Sequence, residues 1–310
     1  MDKHALKIGV VGLGKIALDQ HLPAIRGNPR LQLVAGCSPE GGPDDMPVYP
    51  DMDTMLARHP DIAAVALCTP PQVRYTLACA AIDAGKHVLL EKPPAVTVEQ
   101  AQDLLARAQA RGVVAFAAWH SRFAPAVAPA AQWLAGRTPV AVRIEWKENV
   151  RQWHPGQKWI FEAGGMGVFD PGINALSIAT RLLGPLALRN ATLNIPSNCA
   201  APVQARLQLA DAQGVPVSAD FDFLQQGQQT WSIFVDTSDG QHMALHLGGR
   251  ILQVDGQQLF EQPDREYPEL YAYFADLVAS GRSDLDVAPL QVVLDAERTG
   301  QRITVEPYHE

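Results

Sequence analysis

The sequence predicts an α/β protein of two domains, a doubly wound parallel sheet over residues 1–123 and an α+β domain with a large, mainly antiparallel sheet over 124–310. Three observations predict it. From residue 6 short apolar runs alternate with amphipathic ones, the pattern of βαβ units. A glycine-rich turn follows the first run. Beyond about residue 123 longer segments alternate apolar and polar residues, as half-buried strands do. At 310 residues there is chain enough for two cores, and 47% hydrophobic with 19% charged residues is far from the composition of disorder.

In chain order, strands are expected at 6–11, 31–35, 62–67, 87–90 and 113–118, short runs suited to burial on both faces. Helices are expected between them at 15–27, 51–58, 72–84 and 97–111, the last opened by Thr97 with Gln100 as a capping box. The Pro/Gly-rich stretch 39–50 reads as a mobile loop. In the second part a helix at 125–135 precedes strands at 140–146, 205–209, 217–223, 231–237, 242–247 and 250–254. Ser238-Asp239-Gly240 is a hairpin signal, and helices at 267–279 and 288–299 close the chain.

A net charge of -8 and the lack of any Lys/Arg-rich block exclude a general nucleic-acid binder. No apolar run approaches the roughly 20 residues that span a bilayer. Met1-Asp2-Lys3-His4 leads straight into a strand with no leader architecture, so the cytoplasm is the expected compartment. Cys37, Cys68, Cys79 and Cys199 lack zinc or disulfide spacing and read as buried thiols.

Gly12-x-Gly14-x-x-Ala17 stands directly after the first strand and opens the first helix, where a Rossmann fold binds a dinucleotide. Gly12 permits the tight turn, Gly14 lets backbone approach a pyrophosphate, and Ala17 lets helix and strand pack closely, with Lys15 and Ile16 in the same turn. At the second strand tip, Gly36-Cys37-Ser38-Pro39 presents no carboxylate to repel a 2′-phosphate, and Ser38 can donate to one, although no arginine clamps it. NADP or dual use is therefore favoured over strict NAD, with Cys37 and Ser38 as contacts. Thr69-Pro70-Pro71-Gln72 follows the third strand at the same edge, either as a flat apolar surface for the cofactor or as a stiffened loop before a helix.

Glu91-Lys92-Pro93-Pro94 follows the fourth strand at that edge, so Glu91 joins the cofactor contacts and Lys92 points toward the nicotinamide. Lys92 is extended because it precedes proline, and Lys92-Pro93 is a candidate cis bond. A second constellation runs from Glu162 to Asn174, with glycines that suggest backbone close to a ligand. Asp170 reads as the N-cap of a helix that has Pro171 in its first turn and ends at Gly184. Asp170 and Asn174 then share a face. Asp170 serves as cap, as acceptor for hydroxyls, or as both.

These motifs resemble the Gfo/Idh/MocA oxidoreductases over the whole chain. The resemblance rests on Gly12 to Ala17, His21-Leu22-Pro23-Ala24, Thr69-Pro70-Pro71, Glu91-Lys92-Pro93 and Asp170-Pro171-Gly172-Ile173-Asn174. Trp119-His120-Ser121-Arg122, Trp146-Lys147-Glu148 and Trp153-His154-Pro155-Gly156-Gln157 resemble the bacterial branch that oxidises C1 of L-arabinose or D-galactose. The resemblance implies hydride transfer from a pyranose to NAD(P), giving an aldonolactone. Another sugar or polyol, or a sensor that binds NAD(P) without turnover, are the alternatives.

The family's usual base, a histidine four residues after the aspartate, is replaced by Asn174, which takes no proton at neutral pH. The base is then Asp170, Lys92 or a water between them. We favour Lys92, with Asp170 and Asn174 holding and polarising the sugar. A pyranose needs acceptors for its hydroxyls and an aromatic platform for its ring, and His120, Glu148, Asn149, Trp153, His154 and Trp231 are the candidates. The second sheet, covered by helices on one face, is expected to leave the other apolar enough to form a homodimer.

Overall fold

A computed structural model describes residues 5–309; Met1-Asp2-Lys3-His4, read above as the entry to the first strand, lies outside the described residues. The order begins with β1 (Leu6–Val11), a π turn (Ala17–His21) running into α1 (Leu22–Arg26), β2 (Leu31–Cys37) and β3 (Val48–Tyr49). Then come α2 (Met52–Arg58), β4 (Ala64–Leu67), α3 (Pro71–Asp83), β5 (His87–Glu91), α4 (Val98–Arg111) and β6 (Ala115–Ala118). Thr97 caps α4 by accepting the Gln100 N–H, and Gly112 ends it in the left-handed region at φ 67°.

The second stretch runs through α5 (Val127–Leu134), β7 (Pro139–Lys147), α6 (Val150–Trp153), α7 (Phe169–Leu183), β8 (Ala187–Pro196), β9 (Gln204–Ala210) and β10 (Pro216–Asp222). It continues with β11 (Thr230–Thr237), β12 (His242–His246), β13 (Ile251–Val254), β14 (Gln257–Glu261), α8 (Glu266–Ser280), α9 (Ala288–Thr299) and β15 (Gln301–Val305). The β11–β12 hairpin turns at Gly240, φ 80°, as its sequence signalled.

The chain divides into two compact units, residues 1–120 with 266–287, and 121–265 with 288–310. The first junction lies three residues from the cut expected at 123/124, but α8 packs with the first unit rather than the second. Phe274 stacks on Phe116 of β6 with ring centres 6.0 Å apart, Trp119 donates to the Asp286 carbonyl, and Phe116 pairs with Asp284. Burying each such aromatic contributes about 2–3 kcal/mol.

The first unit holds a parallel sheet in the order β3-β2-β1-β4-β5-β6. β1, β4, β5 and β6 are buried almost throughout, as strands covered on both faces must be. The 39–50 stretch is not all loop, because Val48–Tyr49 pairs with Gly36 and Cys37. The first helix is interrupted by the π turn that ends on the buried His21.

In the second unit the order is β14-β13-β12-β11-β7-β10-β9-β8-β15. The sheet is mainly antiparallel, with two parallel pairings, β7·β10 and β8·β15. β14 and β15 escape sequence reading because both are exposed sheet edges without alternation, and β8 because polar residues occupy much of both its faces. The chain thus closes on a strand, not on α9. α5, α7 and α9 lie against the sheet through Val142, Ile144, Leu207, Phe221 and Ile233. The opposite face is not apolar as expected: it carries Arg143, Glu145, Asp220, Asp236, His242 and His246.

Replacing Thr97 by Ala removes the α4 cap and is expected to lower stability by about 1 kcal/mol, read from denaturant midpoints at unchanged m-value.

Candidate functional site

The first unit gathers its site at the carboxyl ends of its parallel strands. Gly12, φ 88°, donates its N–H to the Cys37 carbonyl, and a Cβ there would lie 3.0 Å from the Thr69 nitrogen. Only glycine fits that crossing. A Cβ on Gly14, by contrast, would meet no protein atom within 4 Å, so the turn is open just where a pyrophosphate would lie against backbone. Ala17 is fully buried, while Lys15 and Ile16 are exposed beside it. Thr69 Oγ1 is buried with no hydrogen-bond partner among the described residues. This cradle fits a dinucleotide.

The other expected cofactor contacts divide. The Cys37 side chain is buried, with its thiol pushed up to about 11 by burial and by nearby Asp51, so it faces the core and offers no contact. Ser38 stays part-exposed and its hydroxyl accepts the Glu40 N–H at 3.3 Å, which leaves its own proton to donate. Pro70 and Gln72 are exposed, and Pro71 opens α3.

Lys92 leaves the tip of β5 through a cis Lys92–Pro93 peptide. Glu91 is not a surface contact for cofactor but a buried carboxylate. Its Oε2 accepts the Lys92 N–H at 2.7 Å, and its Oε1 accepts the Tyr267 hydroxyl at 2.7 Å and meets His21 Nε2 at 3.1 Å. Tyr271 completes the group, 2.7 Å from His21 Nδ1. Burial alone would push the Glu91 carboxyl up, but His21, with His120 and Tyr267 adding, holds it well below the usual carboxylate range. Burial alone would depress His21, yet Cys68 and Glu91 raise it to about 10.

Arg74, buried on α3, donates to the carbonyls of Glu91, Pro93 and Thr69, tying the two loops together. Burial lowers its guanidinium to about 10 despite Glu91 and Cys68 nearby. Nothing in the local sequence signals Arg74, Tyr267 or Tyr271, because their partners are remote in the chain. His120, two residues past β6, has Nδ1 hydrogen-bonded to Glu266 and its ring stacked on Tyr267, centres 5.2 Å apart at 17°.

The second unit brings a different set together. Glu148, buried at the end of β7, accepts the Trp231 indole N–H at 2.7 Å. His154 Nε2 lies 3.8 Å from Glu148 Oε1 and 4.0 Å from Asp170 Oδ2, a gap between two carboxylates. Trp153, 47% exposed, meets Trp231 edge to face at 5.7 Å. Every residue from Val168 to Thr180 is buried except Asp170 and Asn174, so these two mark one polar stripe on α7. Asn149 is a helix cap, accepting the Arg151 N–H.

Two readings of this segment change. Asp170 is not the N-cap: Val168 is already helical, so Asp170 falls in the first turn and its carboxylate turns to His154. Gly165 and Gly167 approach protein rather than ligand, since a Cβ on Gly165 would lie 2.2 Å from the Ile160 carbonyl oxygen and one on Gly167 2.2 Å from that of Pro202.

Residues 6–118 match the family described as "Oxidoreductase family, NAD-binding Rossmann fold". The chain is 42% identical over 307 residues to a galactose 1-dehydrogenase of Pseudomonas fluorescens, covering 98% of this chain and 99% of that one. Its structure is similar to D-galactose-1-dehydrogenase from Rhizobium etli, with TM-score 0.95 at 47% identity over 100% and 99% of the two chains. A 3-ketoreductase of Actinomadura kijaniata in complex with NADP shares the fold, with TM-score 0.84 at 20% identity over 97% and 99%.

The buried pair predicts a pH signature. The Glu91 contribution to stability is present above about pH 4.5 and lost as the pH falls further. That of His21 is complete below pH 6.5 and lost as the pH rises through about 10. His21→Gln should therefore flatten the decline of unfolding free energy between neutral and alkaline pH, and an unchanged slope would contradict the raised His21.

Proposed function

The chain belongs to the Gfo/Idh/MocA family of NAD-binding Rossmann-fold oxidoreductases, and from that premise we propose that it oxidises C1 of an aldopyranose, D-galactose or L-arabinose, to the aldonolactone. The observation that carries the sugar is the Glu148, His154 and Asp170 cluster beside the Trp153–Trp231 pair. Charged acceptors bind hydroxyls strongly, and indoles cover the apolar face of a ring. The two sugars share their ring configuration and differ by the hydroxymethyl on C5, so a pocket open near C5 would serve both.

A bound nicotinamide dinucleotide supplies the hydride acceptor. Lys92 contacts the C1 hydroxyl and takes its proton as the C1 hydrogen leaves as hydride, while Asp170 and Asn174 hold and polarise the sugar. To accept a proton Lys92 must be desolvated, which bound cofactor and sugar provide. His120, Glu148, Trp153, His154 and Trp231 contact the sugar, and Asn149 shapes the turn that carries Trp153 and His154. NADP or dual use is supported by the absence of a carboxylate in Gly36 to Pro39.

We place the enzyme in the cytoplasm as a homodimer. Among the described residues no helix is long and apolar enough to cross a membrane. Sedimentation as a monomer at micromolar concentration would overturn the dimer.

Purified protein should reduce NADP or NAD with either sugar, and kcat/KM for both sugars with both cofactors ranks them. Absence of turnover in all four combinations would sink the sugar assignment. Lys92→Ala should lose at least about 100-fold in kcat while its dinucleotide Kd stays unchanged.

A further inference from the structure

Asn174 accepts no proton, and Lys92, once it has taken one, is an ammonium that must release it before the next turnover. The first unit holds a group suited to receive it. β5 and β6 pair with Glu91 opposite Ala118, so Lys92 and His120 leave neighbouring strand tips, about 4.8 Å apart in the pairing direction. Glu266 engages His120 Nδ1, which makes Nε2 the nitrogen with the lone pair in the neutral ring. Stacking on Tyr267, itself hydrogen-bonded to buried Glu91, fixes the ring plane. A carboxylate behind an imidazole orients it and stabilises the imidazolium, the arrangement that makes histidine a proton acceptor in hydrolytic triads.

Resting on the sugar-oxidation reading, we infer that His120 takes the substrate proton from Lys92, with Glu266 as its positioning residue. The electron pair of the C1–H bond goes to the dinucleotide and the hydroxyl O–H bond breaks toward Lys92 Nζ. An N–H bond of the resulting ammonium then breaks toward His120 Nε2, restoring neutral Lys92, and the imidazolium loses its proton to water. The charged or titratable groups that face His120 include Glu266 and Tyr267 from α8, and Glu91 from β5.

Steady-state kinetics across pH with D-galactose and NADP test this in wild type, His120→Gln, His120→Ala and Glu266→Gln. His120→Gln should lower kcat about 100-fold near neutrality and abolish the acidic limb of the kcat profile, a loss well beyond any rise in sugar KM, with dinucleotide Kd within about threefold of wild type. Added imidazole should restore activity to His120→Ala. Glu266→Gln keeps a hydrogen bond but not the charge that stabilises the imidazolium, and should move the acidic limb to lower pH. A His120→Gln enzyme that keeps the wild-type limb and loses only in KM makes His120 a sugar contact alone and overturns the relay. Should His120→Gln fail to bind dinucleotide, Glu266→Gln decides, an unmoved limb counting against the proposal. Wild-type protein inert toward all four substrate pairs overturns the sugar reading itself.

Discussion

A carboxylate buried at the end of β5 dictates much of the first unit. Glu91 sits where water cannot solvate it, and an unpaired charge there would cost several kcal/mol. Four partners answer that constraint: the Lys92 N–H, the Tyr267 hydroxyl, His21 and, through His21, Tyr271. Two come from α8, almost two hundred residues further along the chain, which must return to the first unit for the carboxylate to be satisfied. His21 is delivered by the π turn in the first helix, where one widened turn re-aims the side chain inward. The charge chemistry therefore explains both an irregular helix and a discontinuous unit.

The same pairing steadies the turn at Lys92. Lys92 hangs from a turn whose backbone is gripped by Glu91 on one side and by Arg74 on the other. Removing either buried charge would leave its partners unsatisfied, so the turn is defined by a network rather than by its own short sequence. The Gly12 crossing against Thr69 adds a steric lock between the tips of β1 and β4. The open space at Gly14 is what remains for a ligand.

In the second unit the logic is reversed. His154 stands 3.8 and 4.0 Å from two carboxylates, too far for direct hydrogen bonds. Glu148 is oriented by the Trp231 indole, and Asp170 by its place in the first turn of α7, where the helix dipole favours a negative charge. Trp153 and Trp231 meet edge to face beside these polar groups.

Local pattern determined a great deal by itself: the parallel sheet and its fingerprint, the cap of α4, the hairpin at Gly240, the cis-prone Lys92–Pro93 bond and the Asp170–Asn174 stripe all follow from neighbours within a few residues. Tertiary structure decided the rest. It placed Glu91 and Cys37 in the core, moved Asp170 off the cap, assigned Gly165 and Gly167 to backbone packing, drew α8 into the first unit, and chose Arg74, Tyr267 and Glu266 as partners. Edge strands β14 and β15 also belonged to it, since strands exposed on both faces carry no hydrophobic period. The physical reason is common to all of these. Propensity and periodicity act along the chain, whereas the satisfaction of a buried charge or donor depends on groups that only the folded chain brings within about 3 Å.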